Sequence, residues 1–237
     1  MQEGTARVIS GQGMKGHDAL NIYGMSGPGT YDGFMGSYFT HLDESTQKTY
    51  VDFFSRLGIK PNQRVLEVGI GTGLNLPLYP RGIKLIGIDP TPEMLEKARV
   101  KCRELNREDI ETLNQDGRHI PYEDNYFDTV VETFMLCVAE HPEEVFDEMI
   151  RVCKPDGTIG IFDYKQATSN PRVLKDQMLL AETMRRKGIY HNGVPAVVFD
   201  PLFDLDSLVQ NSGLAIQDEI RIESSFIESL GMYLLKK

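Results

Sequence analysis

Arg64-Val65-Leu66-Glu67-Val68-Gly69-Ile70-Gly71-Thr72-Gly73-Leu74-Asn75 is an apolar run that closes on an acid and three alternating glycines. Glycines at the carboxyl end of a strand remove the side chains that would hold a ligand off the backbone, so the amides there can approach a small molecule. The spacing separates the nucleotide-type loops from one another. A dinucleotide fingerprint, G-x-G-x-x-G, wants a small residue where this chain has Leu74, and a P-loop needs a Lys followed by Ser or Thr, which is absent here. The next apolar run, Ile83 to Ile88, ends at Asp89. An ionised carboxylate has acceptors only, and a vicinal diol offers it two donors.

Strand and helix patterns alternate outward from this stretch. Asp43 caps an expected helix whose apolar residues Tyr50, Val51, Phe53, Phe54 and Leu57 recur at helical spacing before Gly58. Thr91 as N-cap, Pro92 and Glu93 open a helix after Asp89, with Met94, Leu95 and Ala98 on one stripe. Strands are expected at Asp109–Asn114, Tyr126–Glu132 and Thr158–Phe162. Between the last two lie a helix carrying Val145, Phe146, Met149, Ile150 and Cys153 and a turn at Lys154-Pro155-Asp156-Gly157. A helix from Pro171 to Gly188, a short one capped by Asp204, and a closing strand pair, Leu214–Ile222 and Leu230–Leu235, complete the chain. Residues 1 to about 30 are glycine-rich and read as a loose segment.

With 237 residues, one α/β domain with some elaboration is expected. The 25 basic and 35 acidic residues give a net charge of −10 without a basic stripe, which argues against a nucleic-acid partner. Cys102, Cys137 and Cys153 read as reduced, buried thiols, and no metal-ligand spacing is present. The first residues, Met1-Gln2-Glu3-Gly4, form no signal segment, and no apolar run approaches the ~18 residues needed to span a bilayer. A cytoplasmic protein without an integral membrane segment is the expectation, with a homodimer left open.

The pattern E-x-G-x-G-x-G followed by Asp89 resembles the class I S-adenosylmethionine-dependent methyltransferases. Further along, Asp116-Gly117-Arg118-His119-Ile120-Pro121-Tyr122, Thr133-Phe134-Met135-Leu136-Cys137 and Arg151-Val152-Cys153-Lys154-Pro155-Asp156-Gly157 are similar to the branch holding quinone C-, phospholipid N- and thiol methyltransferases. The resemblance covers about residues 31 to 165. It implies a Rossmann-like, seven-stranded, mostly parallel sheet with helices on both faces and an antiparallel last strand. It also implies an amino-terminal helical lid (1–60), a cofactor core (61–165), an insert between the fifth and sixth strands over the acceptor (166–202) and closing elements (203–237), all in one domain.

Carried over by that resemblance, Glu67, Gly69, Gly71 and Gly73 form the cofactor loop, Asp89 with Pro90 takes the ribose, and Asp116 with Gly117 and Arg118 meets the adenine. Met94 and Thr133 line the crevice, and Tyr31 closes over it. The implied cofactor is S-adenosylmethionine, leaving S-adenosylhomocysteine as product. Core packing for Met94, simple packing for Tyr31 and a turn cap for Asp116 are the plainer alternatives.

The acceptor stays open among N, S, O and C nucleophiles on a small molecule. Most of the acceleration can come from holding the reactants in line, up to roughly 7 to 11 kcal/mol; a base is needed only if the acceptor must first lose a proton. Asp163 and Tyr164, at the end of the fifth strand, are candidates to contact an amine by charge and ring face. His41 and His191, in the lid and insert, are candidate bases, whereas His141 reads as a helix cap. Buried without a partner Glu132 would be costly, so it is expected to face the crevice or meet a partner. Two rival readings remain: a non-catalytic cofactor-binding module, and a nicotinamide-dependent oxidoreductase, which Leu74 opposes. A phospholipid headgroup acceptor would call for a basic or apolar surface near the first helix, but Lys48, Arg56 and Lys60 are scattered among acids.

Overall fold

A computed structural model describes residues 7–10, 44–139, 141–165, 171, 174–175, 178, 190–191, 194–195, 203–223 and 229–237. The strands are β1 (Arg7–Ser10), β2 (Arg64–Val68), β3 (Lys84–Asp89), β4 (Ile110–Asn114), β5 (Phe127–Thr133), β6 (Cys153–Tyr164), β9 (Ala215–Glu223) and β10 (Ser229–Lys236), in the order β1-β9-β10-β6-β5-β2-β3-β4. β2, β3, β4, β5 and β6 run parallel to one another, and β10 is antiparallel to both β6 and β9. The seven expected strands form the Rossmann-like sheet. An eighth, β1, pairs parallel with β9 at the edge, so Arg7–Ser10 is ordered backbone where the glycine-rich composition pointed to a loose segment.

Helices α1 (Glu44–Arg56), α2 (Pro92–Glu104), α3 (Pro142–Val152) and α4 (Leu205–Asn211) cover the two faces. Alternation along the strands assigns each side chain to a face. Val65, Val131, Phe162, Met232 and Leu234 pack with Tyr50, Phe53 and Phe54 of α1 and Leu95 of α2. Leu66, Val68, Val130, Ile159, Ile161 and Tyr233 pack on the other side with Val145, Phe146 and Met149 of α3 and Val209 of α4. Asp204 caps α4 as expected, its carboxylate accepting from the Ser207 amide at 3.0 Å. Thr91 and His141 stand at the N-cap positions of α2 and α3 without a side-chain cap bond.

The Lys154-Pro155-Asp156-Gly157 turn lies inside β6. Pairing with β5 breaks after Cys153 and resumes at Thr158, and Asp156 takes φ of 62° while its amide donates to the Lys237 carbonyl. All three cysteines are free and buried. Between residues 166 and 202, Pro171, Leu174, Lys175 and Met178 are helical, and β7 (Tyr190–His191) pairs with β8 (Val194–Pro195). None of the described helices is long and apolar enough to cross a membrane.

α1 sits close on β6 because Gly160 leaves room for it: a Cβ there would stand 2.4 Å from Leu57 Cδ2 and 3.0 Å from Phe53 Cζ. Gly160→Ala is therefore expected to lower stability by roughly 1–3 kcal/mol, as overpacking does. Urea unfolding measures it, and an unchanged midpoint would show that α1 packs more loosely than described.

Candidate functional site

β2 is the point from which the sheet grows in both directions, to β3 and β4 on one side and to β5 and β6 on the other. In such sheets ligands sit beyond the carboxyl ends of the strands at this switch point. Gly69, Gly71 and Gly73 lie there with φ of 77°, 52° and 76°, so every second residue of the loop needs the left-handed backbone that glycine adopts freely. A Cβ on Gly69 would strike Met135 at 2.5 Å and one on Gly73 would strike Leu76 at 2.7 Å, whereas a Cβ on Gly71 would meet nothing among the described residues closer than the Gly69 carbonyl at 4.0 Å. Among the described residues, the face over Gly71 is an open cradle.

Asp89 closes the second side of the cradle. Its carboxylate accepts from the Gly71 amide at 3.0 Å and the Thr91 amide at 2.8 Å. Burial pushes its pKa up, opposed by these amides. With about four lone-pair sites, the carboxylate keeps acceptor capacity for a further donor. Pro90 is exposed and Met94 half-buried beside it. At the end of β4, Asp116 accepts from the amide and guanidinium of Arg118, the closest at 2.6 Å, which holds its carboxyl below the usual range. Gly117 packs tightly: an added Cβ would meet Val145 at 3.0 Å and Val68 at 3.1 Å.

Glu67 lies deeper than the cradle. It is buried, with one oxygen accepting from Asn75 Nδ2 at 2.7 Å; the Tyr79 hydroxyl faces it without completing a hydrogen bond, and Oε2 has no partner among the described residues. Burial pushes its pKa up to about 7. The same Asn75 amide donates to Thr133 Oγ1 at 2.9 Å, and its oxygen accepts from the Tyr50 hydroxyl at 2.6 Å. Asn75 and Tyr50 thus join the loop after β2 to the end of β5 and to α1. Neither was singled out for the site from the sequence; the only available signal was a polar residue between Leu74 and Leu76 directly after the glycines.

Beyond β5, Phe134 follows Thr133 with φ of 54°, an uncommon conformation for a bulky residue. Its ring stacks on Tyr50 with centroids 5.8 Å apart and lies 5.4 Å from the half-buried ring of Tyr164. Asp163 is buried, with Oδ2 accepting from the Cys137 amide at 2.9 Å and Oδ1 from the Tyr164 amide at 2.6 Å. Glu132 is buried beside it. Tyr31 and His41 lie outside the described residues, as does the side chain of His191. A cavity of about 420 Å³ opens at the opposite, amino-terminal end of the strands; Arg56 and Lys154 on its wall are held by Asp218 and Asp128, and it touches none of the cradle residues.

Comparison with known proteins agrees with this arrangement. Residues 66–161 match the family described as methyltransferase domain. The phosphatidylethanolamine N-methyltransferase of Cereibacter sphaeroides is 42% identical over 117 residues, 49% of this chain and 58% of that one. The demethylmenaquinone methyltransferase of Lactobacillus johnsonii is 35% identical over 123 residues, 49% of this chain and 50% of that one. The chain thus spans about half the length of the curated relatives it matches. Magnesium protoporphyrin IX methyltransferase from Synechocystis PCC 6803, a structure with bound SAH, superposes with a TM-score of 0.62 at 16% identity, covering 92% of each chain, which is a likeness of fold. Over residues 66–161 the chain is thus similar to a methyltransferase domain, and its fold is the one these methyltransferases share. Among the described residues, the open face over Gly71 and the spare acceptor capacity of Asp89 fit S-adenosylmethionine, the cofactor that the sequence resemblance implies.

The raised pKa of Glu67 has a definite sign. The folded state binds this proton more tightly than the unfolded chain, so the stability it contributes is present below pH 4.5 and is lost as pH rises through about 7. Glu67→Gln should remove a loss on the order of 3 kcal/mol across that window, at 1.36 kcal/mol per pKa unit. Denaturant titrations at several pH values measure it, and parallel pH profiles for the two proteins would show that Glu67 does not titrate there.

Proposed function

We propose that this chain transfers a methyl group from S-adenosylmethionine to an amine on a small molecule, and the observation that carries the reading is the cradle made by Gly71 and Asp89. The cofactor brings an already activated methyl group. The chain's part is to bind and orient. Backbone at Gly69, Gly71 and Gly73 approaches the cofactor's amino-acid portion, Asp89 accepts from the ribose hydroxyls, and Asp116 with Arg118 borders the adenine. Tyr31 would close over the cradle from the lid.

An amine is favoured among acceptors because the rings of Phe134 and Tyr164 stand 5.4 Å apart at the strand ends and are only half-buried, and aromatic faces attract a cationic group. The amine relative at 42% identity supports the same choice. An ammonium has no lone pair until a base removes its proton; His41 and His191 remain the candidates. Asp163, with both oxygens engaged below the surface, suits a role in holding the wall rather than touching the amine. The two cations of α1, Lys48 and Arg56, are paired with Asp52 and Asp218, which favours a soluble amine over one presented on an anionic membrane.

Two measurements test the reading. Asp89→Ala should weaken S-adenosylhomocysteine binding at least tenfold, or about 1.4 kcal/mol, by calorimetry; unchanged affinity in a folded variant removes Asp89 from its role. Methyl-labelled cofactor offered with soluble amines, phosphatidylethanolamine vesicles, thiols and phenols should label the soluble amines. Label in thiols or phenols alone overturns the amine, label in the vesicles alone overturns the soluble acceptor, and cofactor binding without turnover on any acceptor leaves a binding module.

A further inference from the structure

The turn after β5 is held by four successive amides. Phe134 N–H donates to the Phe162 carbonyl at 3.0 Å. Met135 and Leu136 N–H both donate to Glu132 Oε2, at 3.1 and 3.4 Å. Cys137 N–H donates to Asp163 Oδ2 at 2.9 Å. Two carboxyl groups therefore take three of the four donors from beneath. The turn they fix carries Thr133, bound to Asn75; Met135, packed over Gly69; and Phe134, whose ring lines the acceptor side.

Glu132 and Asp163 project to the same face from adjoining parallel strands, two residues out of register, since Glu132 pairs with Ile161. Both are buried, and among the described residues no salt bridge reaches either one. Two like charges this close in the interior cannot both persist. The donor inventory shows where the proton belongs. Asp163 uses both oxygens as acceptors, whereas Glu132 Oε1, treated as an acceptor, has no partner among the described residues. A proton on Oε1, directed to Asp163, satisfies that oxygen and leaves Oε2 free to hold the two amides. Burial and the neighbouring Asp163 charge both raise the Glu132 pKa well above the carboxylate range, in the same direction.

We propose that Glu132 and Asp163 form a carboxyl pair sharing one proton, held by Glu132, and that this pair positions the turn at residues 133–137 on which the cofactor and acceptor sides of the cleft meet. Glu132 and Asp163 are positioning residues: they act through backbone amides and touch no reacting atom. The functional arm of the test rests on the methyl-transfer reading; the spectroscopic arm does not.

Infrared difference spectra between the wild-type protein and Glu132→Gln at neutral pH should show the deuterium-sensitive carbonyl band of a protonated carboxylic acid, present in the wild type and lost in the variant. Absence of that band means Glu132 is ionised and overturns the shared proton. Glutamine reproduces the protonated acid, with an N–H toward Asp163 and an oxygen for Met135 and Leu136. Glu132→Ala should therefore raise the acceptor KM tenfold or more with a smaller change in kcat, and Glu132→Gln should restore KM to within about threefold of wild type. Asp163→Asn should give no such rescue of Asp163→Ala, because an amide donor would face the Cys137 or Tyr164 N–H. Equal damage from Glu132→Gln and Glu132→Ala, or rescue by Asp163→Asn, overturns the assignment; if the alanine variants do not fold, the infrared band and the direct comparison of Glu132→Gln with Asp163→Asn decide it. A chain inactive on every acceptor would refute the methyl-transfer reading while leaving the infrared result to stand or fall by itself.

Discussion

The amide of Asn75 ties the cleft together. One buried side chain donates to Glu67 and to Thr133 and accepts from Tyr50, so the ends of β2 and β5 and the helix α1 share a single hydrogen-bonded centre. Each of those groups is buried, and a buried polar group left without its partner costs about 1–3 kcal/mol. The glycine loop can take three left-handed residues in a row of five because its far end is anchored in this way. Tyr50 extends the same centre into the apolar layer, where its ring stacks on Phe134 and meets Phe162 edge-on at 4.9 Å. The glycine loop, the turn after β5 and the first helix are one mechanical unit.

Four carboxyl groups gather at the carboxyl ends of the strands: Glu67, Asp89, Glu132 and Asp163. Burial raises the pKa of all four. Under the proposed function the ligand brings its own positive charge, as a sulfonium and an ammonium, to an edge where Asp89 and Asp163 each accept hydrogen bonds on both carboxylate oxygens. Such a preset field favours a cationic ligand without reorganising when it arrives. Asp89 is the member nearest the open cradle; the other three hold the frame from behind.

What the sequence made legible was local. Alternating glycines after an apolar run and an acid after the next one define the crevice within 26 residues of chain, and the periodicity of Tyr50, Phe53 and Leu57 marked α1. The arrangements that escaped it join residues far apart: Asn75 with Thr133 across 58 positions, Glu132 with Asp163 across two strands. Glu132 could be flagged as needing a partner, but its partner is chosen by strand order and register, which no local pattern contains. Asp163 looked like a strand-end side chain open to the cleft. The amides of Cys137 and Tyr164 draw it inward. β1 was missed because four residues without flanking turn signals acquire strand geometry only from the edge of β9 beside them.

Direct titration of the protein with S-adenosylmethionine, S-adenosylhomocysteine and NAD tests the central claim most plainly, because all three would have to enter the same crevice beyond β2. Saturable one-to-one binding of both sulfur cofactors at micromolar concentration, with no heat from NAD, is the outcome this structure leads to. Binding of NAD in preference to either, or no binding of the sulfur cofactors by the folded protein, would contradict the reading of the cradle at Gly71 and Asp89.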